Sequence, residues 1–179
     1  MDYFEGIIKT ILEHEGYWVR QSFKVNVTKQ EKRDIGKHSI PRPEIDILAF
    51  NQKDNTVLAL EAKSYLDSPG VRIDDLKMDY QIPDGRYKLF TCSNYRAVVF
   101  NRLKQELIDQ GMANTNTKIT LGLVAGKIYQ SRSNELRDLF KSRGWFFWSP
   151  EDLRDKVNLL ARKSYENEPS IITAKILMR

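Results

Sequence analysis

Three side chains stand where a half-buried strand has no ordinary use for them. Asp46 lies in the run Glu44-Ile45-Asp46-Ile47-Leu48-Ala49-Phe50, and Glu61 and Lys63 lie in the run Thr56-Val57-Leu58-Ala59-Leu60-Glu61-Ala62-Lys63. Burying a carboxylate costs several kcal/mol unless a cation compensates it. The two runs flank a polar break, Asn51-Gln52-Lys53-Asp54-Asn55. Together they predict a β-hairpin with a loop of about five or six residues. Side chains alternate along a strand, so Glu61 and Lys63 share a face with Val57 and Ala59. If Phe50 pairs with Val57, then Leu48 meets Ala59, Asp46 meets Glu61 and Glu44 meets Lys63. Directly opposed residues have Cβ atoms roughly 4.5–5.5 Å apart. Two carboxylates that close repel each other unless a divalent cation lies between them, and oxygen ligands of this kind suit Mg2+ or Mn2+. A lysine beside the cation can orient or deprotonate a water, or stabilise charge on a phosphate. The hairpin is expected to be a metal site.

Several elements must hold that hairpin in place. Residues 2–15 predict an amphipathic helix with Phe4, Ile7, Ile8, Ile11 and Leu12 on one stripe, stopped at Gly16. Glu5 falls at the rim of the stripe, from where it can reach the hairpin's metal; an acid near a helix N-terminus is equally favoured by the helix dipole alone. Residues 17–27 read as a first strand, with Val19, Phe23, Val25 and Val27 on alternate positions. Residues 28–41 form a long polar connector carrying Lys29, Lys32, Arg33, Lys37 and His38, and it leads straight into Arg42. As a flexible basic loop beside the metal, Lys29, Lys32, Arg33, Lys37 and Arg42 would grip a phosphate backbone; otherwise the stretch is a solvated connector.

Beyond Lys63 the pattern is weaker. Residues 64–84 contain a turn at Asp67-Ser68-Pro69-Gly70 and no firm element. Residues 87–92 predict a short strand, and Ser93 or Asn94 then caps a helix reaching about Gln110, with Val99, Leu103 and Leu107 on one face. Residues 118–125 predict a strand, 133–142 a helix and 145–148 another strand, which together imply a right-handed parallel crossover. The run Trp145-Phe146-Phe147-Trp148 is expected in the core rather than stacked on bases. Ser149-Pro150-Glu151-Asp152 is a strong helix start, for a helix running to about Tyr165. A last helix follows Pro169, with Ile171, Ile172, Ile176 and Leu177 as its apolar side.

Composition sets outer bounds. With 179 residues, 41% hydrophobic and 30% charged, the chain is expected to form one globular domain with a real core. A net charge of +5 favours contact with a polyanion. The single Cys92 excludes an internal disulfide and any Cys-rich zinc site, and is expected to be a buried hydrophobe. The opening residues lack a signal peptide's pattern, and no apolar run approaches the roughly 18 residues of a membrane span. A cytoplasmic location without membrane contact follows as the expectation.

The ordered set Phe4-Glu5, then Gly16-Tyr17-Trp18-Val19, then Glu44-Ile45-Asp46-Ile47-Leu48-Ala49, then Leu60-Glu61-Ala62-Lys63 resembles the PD-(D/E)xK nuclease superfamily. Within it the likeness is greatest to the Holliday-junction-resolvase-like and Mrr-like branches. It covers residues 2–64, and the strand at 119–125 is loosely similar to the fourth core strand. The resemblance implies an α/β fold, a restriction-endonuclease-like core with a mixed sheet flanked by helices in the order αβββαβ. That core would span about 2–126, with a C-terminal strand and helices at about 133–178 packed on it. It further implies that Asp46 and Glu61 ligate Mg2+ or Mn2+ together with the backbone carbonyl of Ala62. Lys63 would position the attacking water or stabilise the pentacovalent phosphate, and Glu5 would hold the metal through water. The chain departs from the pattern in two places: the proline, Pro43, precedes Glu44 rather than the catalytic acid, and residues 64–84 have no counterpart, which leaves Ser64, Tyr65 and Gln81 unassigned.

The function expected is a metal-dependent endonuclease acting on duplex or branched DNA. Cutting both strands with one site per chain would favour a homodimer. Two other readings compete: a non-catalytic nucleic-acid-binding module that keeps the fold, and a structural domain in which Asp46, Glu61 and Lys63 form a buried ion network.

Overall fold

In the computed structural model, which describes residues 2–178, five strands form one sheet in the order β1-β2-β3-β4-β5. They are β1 (Trp18–Lys24), β2 (Glu44–Asn51), β3 (Thr56–Lys63), β4 (Lys118–Ala125) and β5 (Phe146–Trp148). The first three are antiparallel and the last three parallel, so the sheet is mixed and open. Helices cover both faces. On one side α1 (Tyr3–His14), α7 (Pro150–Arg162) and α8 (Pro169–Leu177) pack against Ile47, Ala49, Leu58 and Leu60. On the other, α5 (Ser93–Asp109) and α6 (Ser133–Ser142) pack against Leu48, Val57, Ala59 and Leu123. Among the described residues no helix is long and apolar enough to cross a membrane.

The local chemistry explains the elements that frame the hairpin. Asp2 caps α1 by accepting from the Phe4 N–H at 2.8 Å, and Ile8, Ile11 and Leu12 are buried along the predicted stripe. Gly16 takes φ +90, a left-handed conformation suited to glycine, just past the helix end. Ser149 and Asp152 close a reciprocal capping box at the start of α7. The hairpin register matches expectation where it is paired, with Phe50 opposite Val57 and Leu48 opposite Ala59. Its connecting loop is residues 52–55, shorter than expected, because β2 extends through Asn51.

Four expectations are corrected. The polar connector is not a free loop: residues Lys29–Asp34 form a short helix, α2, closed by a Thr28–Glu31 capping box and tied to α5 by Arg102, which donates to Glu31 at 2.8 and 3.1 Å. Residues 87–92 are not a strand. They form α4 (Lys88–Thr91), because the place beside β3 is taken by β4, and Leu89, Phe90 and Thr91 are buried in succession rather than alternately. Neither Ser93 nor Asn94 caps α5; Cys92 sits at its start, and the Asn94 amide donates to the Asp34 carbonyl. Finally, α7 stops at Arg162, and α8 buries Ile171 and Ala174 while Ile176 and Leu177 stand 70% and 73% exposed. A short α3 (Ile73–Lys77) completes the helices.

A distortion runs across β1 and β2. Ile47 and Ala49 face the α1 layer, yet Ile45 faces the α5 layer with Leu48. Val19 packs towards the α1 layer, yet Phe23 belongs to the α5 layer. Strict alternation forbids both, so each strand turns over once, at Asp46 and at Ser22. Ser22 has φ +52, a left-handed conformation costing of order 1–3 kcal/mol in a non-glycine residue. No residue is inserted, since the pairing Gln21–Ile47 resumes as Phe23–Ile45.

Where β3 leaves the sheet, β4 closes against it. Gly126 donates its N–H to the Lys63 carbonyl at 2.8 Å, and a Cβ added at Gly126 would lie 2.6 Å from the Ser64 carbonyl oxygen. Gly126→Ala is expected to cost about 1–3 kcal/mol in chemical denaturation, because backbone rather than a flexible side chain must move.

Candidate functional site

The β2–β3 ladder ends at the pair Ile47–Leu60, and the strands part beyond it. Asp46 occupies the opening. Its Oδ2 accepts from the Ala62 backbone N–H at 2.8 Å, taking over a group the ladder no longer satisfies. The same oxygen accepts from Lys63 Nζ at 3.2 Å, and Lys63 Nζ reaches Glu61 Oε2 at 2.9 Å. One ammonium is thus shared by two carboxylates from adjacent strands. The side chains of Asp46, Glu61 and Lys63 are 19%, 14% and 21% exposed, so the cluster is largely withdrawn from water yet not sealed.

The electrostatics follow from that position. Burial pushes the Glu61 carboxyl above its ordinary value, Lys63 pulls it back, and Asp46 adds to the rise. Burial works against the Lys63 ammonium, but Glu61 and Asp46 outweigh it and hold the lysine firmly protonated. Glu5, on the first turn of α1, is raised by burial and then by repulsion from Asp46, which places its charge within electrostatic reach of the opening. The Gln21 side chain lies against Glu5 and lowers it slightly, while its buried Nε2 falls short of a full hydrogen bond. Glu5 joins no ion pair within 4 Å among the described residues. Nor do any three His, Cys, Asp or Glu side chains among them form a ready cation cage.

Glu61 opens into a cleft of about 310 Å³. Of the basic residues singled out in the sequence, Lys37 and Arg42 line it. Lys32 is spent on the Ile40 carbonyl at 3.0 Å, and Lys29 and Arg33 stand exposed on α2 outside the lining. Glu44 does not meet Lys63 as the register implied; it turns to Lys24 on β1 at 3.7 Å. The opposite wall was not foreseen. It brings Arg86, Lys88 and Tyr95 to the cleft from the region of α4 and the start of α5. Burial raises the Tyr95 phenol to about 12, with the Glu61 charge as the next cause. Lys88 acts on Glu61 as a further positive charge. Arg86-x-Lys88 was visible in the sequence as two cations ahead of an apolar run, but nothing local told which surface they would face.

Two carboxylate oxygens aimed at one positive charge make a hard, all-oxygen donor set, the chemistry that Mg2+ and Mn2+ take. In this arrangement an ammonium supplies the charge. The chain matches no family model, no curated protein and no solved structure with which it was compared.

Replacing Lys63 tests the electrostatics without reference to any ligand. In Lys63→Met, Glu61 loses its cation and its pKa rises further above the ordinary 4.5. A carboxyl raised in the folded state destabilises once ionised, so the penalty grows as pH climbs through that pKa and fades below it. Urea denaturation is expected to show a loss of about 3 kcal/mol near pH 7.5 and a clearly smaller loss near pH 5.

Proposed function

We propose that this chain is a metal-dependent endodeoxyribonuclease of the PD-(D/E)xK type with a restriction-endonuclease-like core. The observation that carries the reading is the convergence of Asp46 and Glu61 on one cation, with Glu61 also lining a basic cleft. The element order adds support: α1, then the meander β1-β2-β3, then a helical crossover to the parallel β4.

Asp46, Glu61 and the carbonyl of Ala62 would hold Mg2+ or Mn2+, with Glu5 reached through water. When bound, such an ion lowers the pKa of a water and offsets charge on a phosphoryl oxygen. The chain's own groups do the rest. The Ala62 N–H fixes the orientation of the Asp46 carboxylate. Lys63, kept protonated by its two acids, would donate to a phosphate oxygen as negative charge builds there. Glu5 stays closer to protonation than an exposed glutamate, which suits it to hold a water rather than a bare ion. Lys37 and Arg42 meet the DNA backbone. A buried ion network with no catalytic role is the competing reading, favoured by the way Lys63 satisfies both acids unaided.

The two readings separate on supercoiled plasmid in Mg2+, Mn2+ or EDTA. Cleavage is expected with either metal, none in EDTA, and a loss of at least about a hundredfold in Asp46→Ala or Lys63→Ala. A plain ion network gives no cleavage, or cleavage the variants retain. Metal binding has its own readout: at a concentration near 100 times Kd, bound metal adds about 2.7 kcal/mol. That shifts the melting temperature of the parent by about 5–10 °C and leaves Asp46→Ala unmoved.

A further inference from the structure

A second basic site shares no lining residue with the cleft at Glu61. Arg96 stands on the first turn of α5, and Arg143 stands in the turn between α6 and β5. Their guanidinium carbons lie 5.2 and 4.9 Å from the centroid of the Trp145 ring. Both also donate to one acceptor: Arg96 Nη1 reaches the Phe90 carbonyl at 3.3 Å, and Arg143 Nη1 reaches it at 3.5 Å. Arg96 Nη1 donates in addition to the Leu89 carbonyl at 2.8 Å. Two positive charges are thus held side by side on one indole and one oxygen.

Neither charge is answered. Among the described residues no carboxylate forms an ion pair with Arg96 or Arg143. Burial lowers the Arg96 guanidinium below its ordinary value and repulsion from Arg143 lowers it further, with Asp79 a weaker opposing charge. A guanidinium carries five N–H donors in a planar fork. Each of these spends only Nη1, which leaves Nε and Nη2 of both open among the described residues. With Ser93 and Trp145, the pair borders two open hollows of about 420 and 400 Å³. The first adds Lys118 and no acid, and the second has Asp79 as its one acid. Trp145 is itself fixed against Phe90 and Phe140, at ring separations of 5.4 and 5.6 Å.

One arginine over an aromatic ring is ordinary packing. A second beside it adds a repulsion that stacking does not relieve. A tetrahedral oxyanion relieves it, because its oxygens accept from two forks at once and its charge offsets theirs. We propose that Arg96 and Arg143 form a phosphate-binding site, separate from the cleft at Glu61, which takes one phosphate group between the two guanidiniums with Ser93 and Lys118 at its margin. The same donors fit free inorganic phosphate or one diester of a nucleic-acid backbone; the shared chemistry is a tetrahedral phosphate. The site stands whether or not Asp46 and Glu61 serve to cut DNA.

The test follows the arginine Nε–H signals of 15N-labelled protein by NMR while inorganic phosphate replaces chloride at constant ionic strength. The signals of Arg96 and Arg143 are expected to shift together and saturate, with a Kd of about 1 mM, while the exposed Arg33 and Arg154 stay unmoved. Arg143→Gln, at an exposed position and checked for folding by its amide spectrum, should weaken phosphate binding at least about tenfold. Fluorescence anisotropy of a labelled duplex in EDTA then separates the two sources. If a backbone diester fills the site, Arg143→Gln lowers the slope of log K against log salt by about 0.9. If free phosphate is the ligand, that slope is unchanged and only the phosphate titration weakens; either result supports the site. Shifts that stay linear, or that appear equally at Arg33 and Arg154, overturn the proposal. So does an Arg143→Gln variant that binds phosphate like the parent.

Discussion

A single ammonium held between two carboxylates decides how this part of the molecule can be built. Burial works against the charge on Glu61 and Lys63 offsets it, while Lys63 could not be drawn in without the two carboxylates it bridges. Meeting requires β2 and β3 to separate after Ile47 and Leu60, since a continued ladder would put backbone where the carboxylate of Asp46 now lies. The Ala62 N–H compensates for the missing ladder bond. What the sheet gives up in pairing it regains as a charged cluster with fixed geometry, which is the condition for any chemistry performed there.

Much of this was readable one residue at a time. The alternation of Val57, Ala59, Glu61 and Lys63 placed acid and lysine on one face, and the pairing of Phe50 with Val57 brought the two strands into the observed register. Helix α6 and strand β4 fall on their predicted limits because their periodicity is uninterrupted and their ends are marked by Gly144 and Gly126. The register argument failed only past Ile47, where Glu44 goes to Lys24 instead of Lys63. Nothing in an alternating pattern announces that two strands will part, because the cause is the carboxylate and not the pattern.

The unforeseen parts share a different cause. In residues 87–92 aromatic and apolar residues suggested a strand, but tertiary competition decided otherwise: Phe90 is claimed by Phe140 and Trp145, at ring separations of 5.5 and 5.4 Å, and β4 fills the sheet position. In residues 28–41 charge suggested a loose tether, whereas Glu31 answers both its own Thr28 cap and Arg102 far along the chain. The Thr28-x-x-Glu31 spacing is a local cap signal that the surrounding charge obscured, whereas the partners of Phe90 and the Arg102 that meets Glu31 lie far along the chain, outside any local window. The wall carrying Arg86 and Lys88 was missed for the same reason.

The half-turn that β1 and β2 make at Ser22 and Asp46 has a consequence for how the molecule is wired. A sheet normally insulates the helices on its two sides from each other. Here the pleat inverts at the acid itself, so Asp46 is a porthole: Glu5 senses it from the α1 side, while Glu61, with Tyr95 and Lys88 beyond, adjoins it from the α5 side. Acids from both layers, Glu5 and Glu61, therefore feel the charge of one carboxylate.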